Sequence, residues 1–326
     1  MLFIWLCIIF VPCILIPVVV YLRPSPKKSV NGKHVVVIGG SSGIGKSVAI
    51  VAAKEGANVT IIARNVEKLN YAQKEIESYK CCKEQIISKI SVDICDYESL
   101  EQNFSKIETI VGPIFMMVNC AGMAICGEVE KFTLDEIKQL VDINFLGSLY
   151  SVKAIVPKFK MRKEGIIVLT GSQVTLMGMY GYSVYSSCKF ALRGLAESLY
   201  MEVKPYNISV TLALPPDTDT PGFANENKTK PTETKLISDT AGLATPENVA
   251  KKLVNDALTG KFFSYVGFES YMVTTLCTGM SPFSTFLDVI MEATVLGLLR
   301  IISAFYIISF NKIVKKCHEN KTKKIM

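Results

Sequence analysis

Between residue 34 and about residue 268, short runs rich in Val and Ile alternate with longer stretches of mixed polarity. The runs predict strands at 34–38, 58–63, 86–92, 114–118, 165–170, 208–214 and 263–267, and the intervening pattern predicts helices at 44–55, 65–79, 133–160, 180–204 and 246–259. Most of the strand runs are apolar at consecutive positions, as in strands covered on both faces. The alternation predicts an α/β fold: a Rossmann-type, doubly wound parallel sheet. The flanks have another character. Residues 2–22 carry no charge, with Trp5 and Tyr21 near the ends, which is about the length needed to cross a bilayer core, with amphipathic rings at its interfaces. An N-terminal transmembrane anchor is expected over 1–23. The competing reading is a cleaved signal peptide, but a basic leading region and a small-x-small cleavage site are both missing. Residues 270–287 are uncharged and 293–310 are apolar except Arg300, which is consistent with a membrane hairpin or with helices lying in the interface. The organisation expected is an anchor (1–23), an α/β domain (24–268), a hydrophobic membrane-associated region (269–310) and a basic cytosolic tail (311–326).

Composition sharpens this picture. The 326 residues are 49% hydrophobic and 20% charged, with a net charge of +7. The basic excess sits beside the apolar segments, at Arg23, Lys27, Lys28 and Lys33 and at Lys312, Lys315, Lys316, Lys321, Lys323 and Lys324. That placement suits membrane flanks and gives no reason to expect a nucleic-acid partner. Positive charge follows the anchor, which places the α/β domain in the cytosol. Lys323-Lys324-Ile325-Met326 has the form of a dilysine retrieval signal, so the expected location is the endoplasmic reticulum membrane. The ten Cys form no C-x-x-C pair and are read as reduced thiols. The two His, His34 and His318, leave no His-based triad, and no metal is expected.

The first strand runs into Gly39-Gly40-Ser41-Ser42-Gly43-Ile44-Gly45. Glycines there let backbone approach a pyrophosphate, and the next helix offers its N-terminal N–H groups. Gly40 to Ser47 also spells a P-loop, and Gly39 to Gly43 a nucleophile elbow that lacks a suitable His. The P-loop stays open as a minor alternative. The second strand ends without an acid and Arg64 follows it, where an Arg can pair with the 2′-phosphate of NADP; Lys68 adds charge one turn on. Asp93 closes the third strand, within reach of an adenine, and Asn119-Cys120-Ala121-Gly122 follows the fourth. Tyr185 and Lys189 stand at i and i+4 on one helix face, and Ser172 closes the strand before them. A phenol of pKa about 10 becomes a practical proton donor if a fixed ammonium lowers it.

This set resembles the short-chain dehydrogenase/reductase family over roughly residues 33–268. The resemblance implies catalytic Ser172, Tyr185 and Lys189, with Asn144 assisting a proton relay. It implies NADPH held by Gly39, Ser41, Ser42, Gly43, Ile44, Gly45, Arg64, Lys68, Asp93, Asn119, Ala121, Gly122, Tyr185, Lys189, Pro215 and Thr220. It also implies a homodimer through helices such as 133–160 and 180–204. Ile38, Cys120 and Pro216 depart from the family's usual Thr, Asn and Gly. The run Pro215–Phe223, then Glu226–Pro231, is similar to membrane-anchored members that reduce a long-chain sphingoid ketone. A steroid, retinoid or acyl ketone substrate is the alternative, and a non-catalytic NADPH-binding scaffold is another.

Overall fold

The computed structural model describes residues 26–239 and 242–323. Seven parallel strands, β1 (His34–Ile38), β2 (Asn58–Ala63), β3 (Ile87–Ser91), β4 (Ile114–Asn119), β5 (Gly165–Thr170), β6 (Ile208–Leu214) and β7 (Phe263–Tyr265), form one sheet in the order β3-β2-β1-β4-β5-β6-β7. The chain winds outward from β1 to β3 and then returns to lay β4 against β1. At that reversal the crossover helices diverge to opposite faces and open a crevice at the carboxyl ends of the strands.

Both sheet faces are buried, which explains the unbroken apolar runs. Val36, Ile38, Met117, Ile167 and Leu212 point into one core, and Val35, Val37, Met116, Val118 and Ile166 into the other. The covering helices are α1 (Gly43–Lys54), α2 (Val66–Glu77), α3 (Tyr97–Val111), α4 (Leu134–Val141), α5 (Gly147–Arg162), α6 (Ser183–Val203) and α9 (Pro246–Leu258). The sequence reading did not single out α3, although its buried Leu100, Phe104, Ile107 and Val111 keep helical spacing and Asp96 caps it through the Ser99 amide. The helix expected over 133–160 is divided by a π turn, Asp142–Leu146. After β6 come two short helices, α7 (Pro221–Glu226) and α8 (Thr232–Ser238).

The first uncharged C-terminal segment does not form a span. Part of it is α10 (Phe268–Leu276), which buries Ser270, Thr274 and Thr275 against the domain. The second segment and the basic tail form one helix of 38 residues, α11 (Phe286–Lys323). It packs on α8 and α10, and it is long and apolar enough to cross a membrane. Leu134–Arg162 meets the same test but is half buried, as a core helix is. The predicted anchor and the end of the dilysine signal lie outside the described residues.

Candidate active site

Two cavities of about 730 Å³ each meet at the carboxyl ends of β1, β4 and β5, sharing Ile44, Cys120, Ala121, Gly122, Thr170 and Thr220. The first is a cleft lined by Gly39, Ser41, Ser42, Gly43 and Gly45, with Arg64, Lys68 and Asp93 at its far end. Gly39 has φ +77°, and a Cβ on Gly45 would come within 2.3 Å of the Gly39 carbonyl oxygen. The turn therefore folds tightly onto the start of α1. Ser42 makes no side-chain cap and the first turn holds no acid, so the helix N-terminus is open to a phosphate. These features fit a nicotinamide dinucleotide. Lys46 lies within α1 and pairs with Glu75 at 2.7 Å; this removes the P-loop reading, whose lysine would reach back to the phosphates. His34 is likewise occupied, by the Gly112 carbonyl and Thr60.

At the far end Arg64 lies 3.7 Å from Asp93, so the two residues assigned to phosphate and adenine are neighbours. The Asp93 carboxylate also accepts the Cys95 amide at 3.0 Å. Asn119 lines neither cavity. It is buried, donates to Ser148 at 3.0 Å and accepts the Ala121 amide at 3.0 Å. Through these bonds it shapes the turn that follows β4.

The second cavity contains Ser172, Tyr185, Lys189 and Pro215. Ser172 follows β5 and accepts the Val174 amide through Oγ at 3.4 Å, which leaves its hydroxyl proton available. Tyr185 and Lys189 project from α6, with the ammonium 5.5 Å from the ring centre. Lys189 is 3% exposed and donates to the Thr170 carbonyl at 2.9 Å. Burial lowers its pKa to about 8. The Tyr185 phenol is pushed up by burial, the Glu226 carboxylate pushes it further, and a hydrogen bond with Ser172 opposes them.

Asn144 sits in the π turn, fully buried. Its side-chain nitrogen donates to the carbonyls of Met123 and Leu140, at 2.9 Å each, and its oxygen accepts the Met123 amide at 3.2 Å. It lines neither cavity, and its side chain fixes the Gly122–Met123 segment. A Cβ on Gly122 would meet the Asn144 oxygen at 3.0 Å and the Lys189 ammonium at 3.5 Å.

Thr220 caps α7 through the Phe223 amide. From the region after β6 come Asp217 and Glu226, which line the same cavity and were missed in the sequence. Lys230, 2% exposed at its side chain, lies 3.0 Å from Glu226 and 3.8 Å from Asp217, and the Tyr182 hydroxyl donates to Glu226. The spacing of Glu226 and Lys230, one helical turn, was the available signal. The apolar end of the cavity is formed by Met272, Leu276, Leu299, Ile302, Tyr306 and Phe310.

A parallel sheet with this crossover, a glycine turn opening a helix and a Ser-Tyr-Lys set at one crevice define a nicotinamide-dependent oxidoreductase. The model of the short chain dehydrogenase family matches residues 33–231, and the chain belongs to that family. It is similar to the 3-ketodihydrosphingosine reductase of Bos taurus, 48% identical over 92% of this chain and 91% of that protein. It is similar, too, to the 3-dehydrosphinganine reductase of Danio rerio, 48% identical over 91% of this chain and 89% of that protein. The crystal structure of levodione reductase shares the fold, with a TM-score of 0.67 and 20% identity over 74% of this chain and 98% of that chain.

Proposed function

We propose that the protein reduces 3-ketosphinganine to sphinganine with NADPH, at the cytosolic face of the endoplasmic reticulum membrane. The observation that carries the reading is the joined pair of cavities: a dinucleotide cleft opening onto a second, mostly apolar cavity that contains Ser172, Tyr185 and Lys189. NADPH would supply a hydride to the ketone carbon. Ser172 donates a hydrogen bond to the carbonyl oxygen and orients it between the phenol and the cleft. Tyr185 gives its proton to the oxygen as negative charge develops there. Lys189, fixed on the Thr170 carbonyl, holds positive charge beneath the tyrosine and reaches toward a cofactor ribose.

Arg64, beside Lys68 in the cleft, supports NADPH over NADH, because a 2′-phosphate satisfies a guanidinium that a free hydroxyl does not. The face of α11 turned to the protein closes the substrate cavity, and its other faces expose Leu298, Ile301, Phe305 and Ile308. This supports an in-plane helix embedded in the bilayer surface, alongside an anchor formed by residues 1–23. Exposed Leu134, Met161, Phe190 and Met201 on α4, α5 and α6 support pairing of two copies through those helices.

The test is NADPH oxidation by detergent-solubilised protein given 3-ketosphinganine. Turnover that Tyr185→Phe lowers by about 10³-fold or more, with NADPH still bound, is the expected result. Turnover retained by the variant would remove Tyr185 as the donor. Bound NADPH with no turnover on this ketone would return the substrate to the wider family.

A further inference from the structure

The substrate cavity is apolar toward α10 and α11, but its opposite end is charged. Asp217 and Glu226 both line it, and the one cation between them is Lys230, buried at 3.0 Å from Glu226 and 3.8 Å from Asp217. Two carboxylates against one ammonium leave an excess of one negative charge in a low-dielectric site, an arrangement that favours a cationic ligand. Both close partners of Glu226, Tyr182 and Lys230, meet its Oε1 atom, so Oε2 is the oxygen on offer. The Tyr182 and Tyr185 rings are 5.8 Å apart, which sets the carboxylate beside the proton donor.

The substrate named above carries an amino group on the carbon next to its ketone. A ketone held at Ser172 and Tyr185, with its alkyl chain running toward α11, turns that amino group toward the Tyr182 side of the cavity. We propose that Glu226, with Asp217, binds the substrate's 2-ammonium group and makes the enzyme selective for α-amino ketones. This inference rests on the sphingoid-ketone reading. Recognition is thereby linked to the chemistry: the Glu226 carboxylate opposes any negative charge on Tyr185, and a cation docked against it cancels that opposition. Binding of the correct head group therefore primes the proton donor.

The experiment compares kcat/KM for 3-ketosphinganine with that for its des-amino counterpart, 1-hydroxyoctadecan-3-one, in wild type, Glu226→Gln and Asp217→Asn. Each substitution leaves Lys230 one carboxylate partner, so the cluster becomes neutral without stranding a buried cation. Wild type is expected to favour the amino ketone by about 100-fold, the scale of a desolvated charge pair. Glu226→Gln should reduce that ratio to within about threefold of unity, and Asp217→Asn should lower it by about tenfold. Thermal melting and NADPH titration report whether either variant is misfolded. A ratio unchanged in both folded variants, or a wild type that does not discriminate, overturns the proposal while leaving the sphingoid-ketone reading intact. A wild type that reduces neither ketone overturns that reading and the proposal with it.

Discussion

Lys189 has to be positive to act, yet it is 3% exposed, and burial lowers its pKa from 10.5 to about 8. Folded protein therefore binds fewer protons at this position than unfolded protein between about pH 8 and 10.5. Stability contributed by this group rises with pH through that window, and the burial penalty is fully present below it. The difference corresponds to about 3 kcal/mol. Part of it is offset by the hydrogen bond to Thr170, worth about 1 kcal/mol. In the dinucleotide-free protein, Lys189→Met should therefore raise stability at pH 7 by about 1–2 kcal/mol while abolishing turnover. Urea denaturation from pH 7 to 10.5 checks this, because the gap between variant and wild type should narrow as pH rises. A gap that stays constant would mean that the ammonium carries no burial penalty. Tyr182, Glu226 and Lys230 show how residues of this kind evade a sequence reading. A tyrosine three positions before the proton donor and an acid–base pair one turn apart are ordinary spacings, and only the fold brings Tyr182 and Glu226 to the cavity and buries Lys230 against Glu226.

Near its C-terminal end the long helix α11 is tied to the domain by Lys321. Lys321 lies 2.7 Å from Glu233 on α8 and 3.8 Å from Glu128. Tyr180 donates to Glu128 and accepts Thr234 at its carbonyl, so α8, α11 and the segment before α6 meet at one junction. Glu233 is 1% exposed, and among the described residues its Oε2 has no partner, so its hold on α11 runs through Oε1 and Lys321. Lys321→Met leaves that carboxylate without its cation, and because Lys321 is itself half exposed the loss costs about 1–3 kcal/mol. Because α8 and α11 lie outside the sheet, local opening should precede global unfolding. The expected kinetic result is a KM for the long-chain ketone raised about tenfold with kcat within twofold, and the added substitution Glu233→Gln should recover most of the loss. Kinetics unaffected by Lys321→Met would show that the junction does not hold the cavity closed. Elements of this kind were the least legible in the sequence. The strands could be read because both their faces are buried, which produces Val- and Ile-rich runs, and the glycine turn and the Tyr-Lys pair because their spacing is local. The π turn at Asp142–Leu146 has no local signature. The helix α11 was obscured because its apolar segment and basic tail look like separate units when only hydropathy is followed.

Across the whole molecule the two cavities, the charged cluster and α11 form one continuous path. The dinucleotide cleft opens beside α1, the reacting groups stand where the cavities join, and the apolar end leads beneath α11. The same helix turns Leu299, Ile302 and Phe310 to the cavity and exposes Leu298, Ile301, Phe305 and Ile308. A ketone with a long alkyl chain dissolves in the bilayer rather than in water, so the helix that closes its cavity is the part best placed at the lipid surface. Each buried methylene of such a chain contributes about 0.8 kcal/mol, and a shortened substrate forfeits both this burial and any advantage of delivery through the membrane. Glutamate at Leu298, Ile301 and Phe305 together should therefore raise KM for the long-chain ketone in vesicles by about tenfold or more, while a short, water-soluble 3-ketone is reduced at nearly the wild-type kcat/KM. Those side chains face away from the cavity, so the comparison separates membrane delivery from damage to the site. Chain termination after residue 285 should give the same asymmetry in a larger form, with NADPH titration confirming that the dinucleotide cleft remains. Equal losses on both ketones would mean that α11 supports catalysis from within and that substrate reaches the site from water.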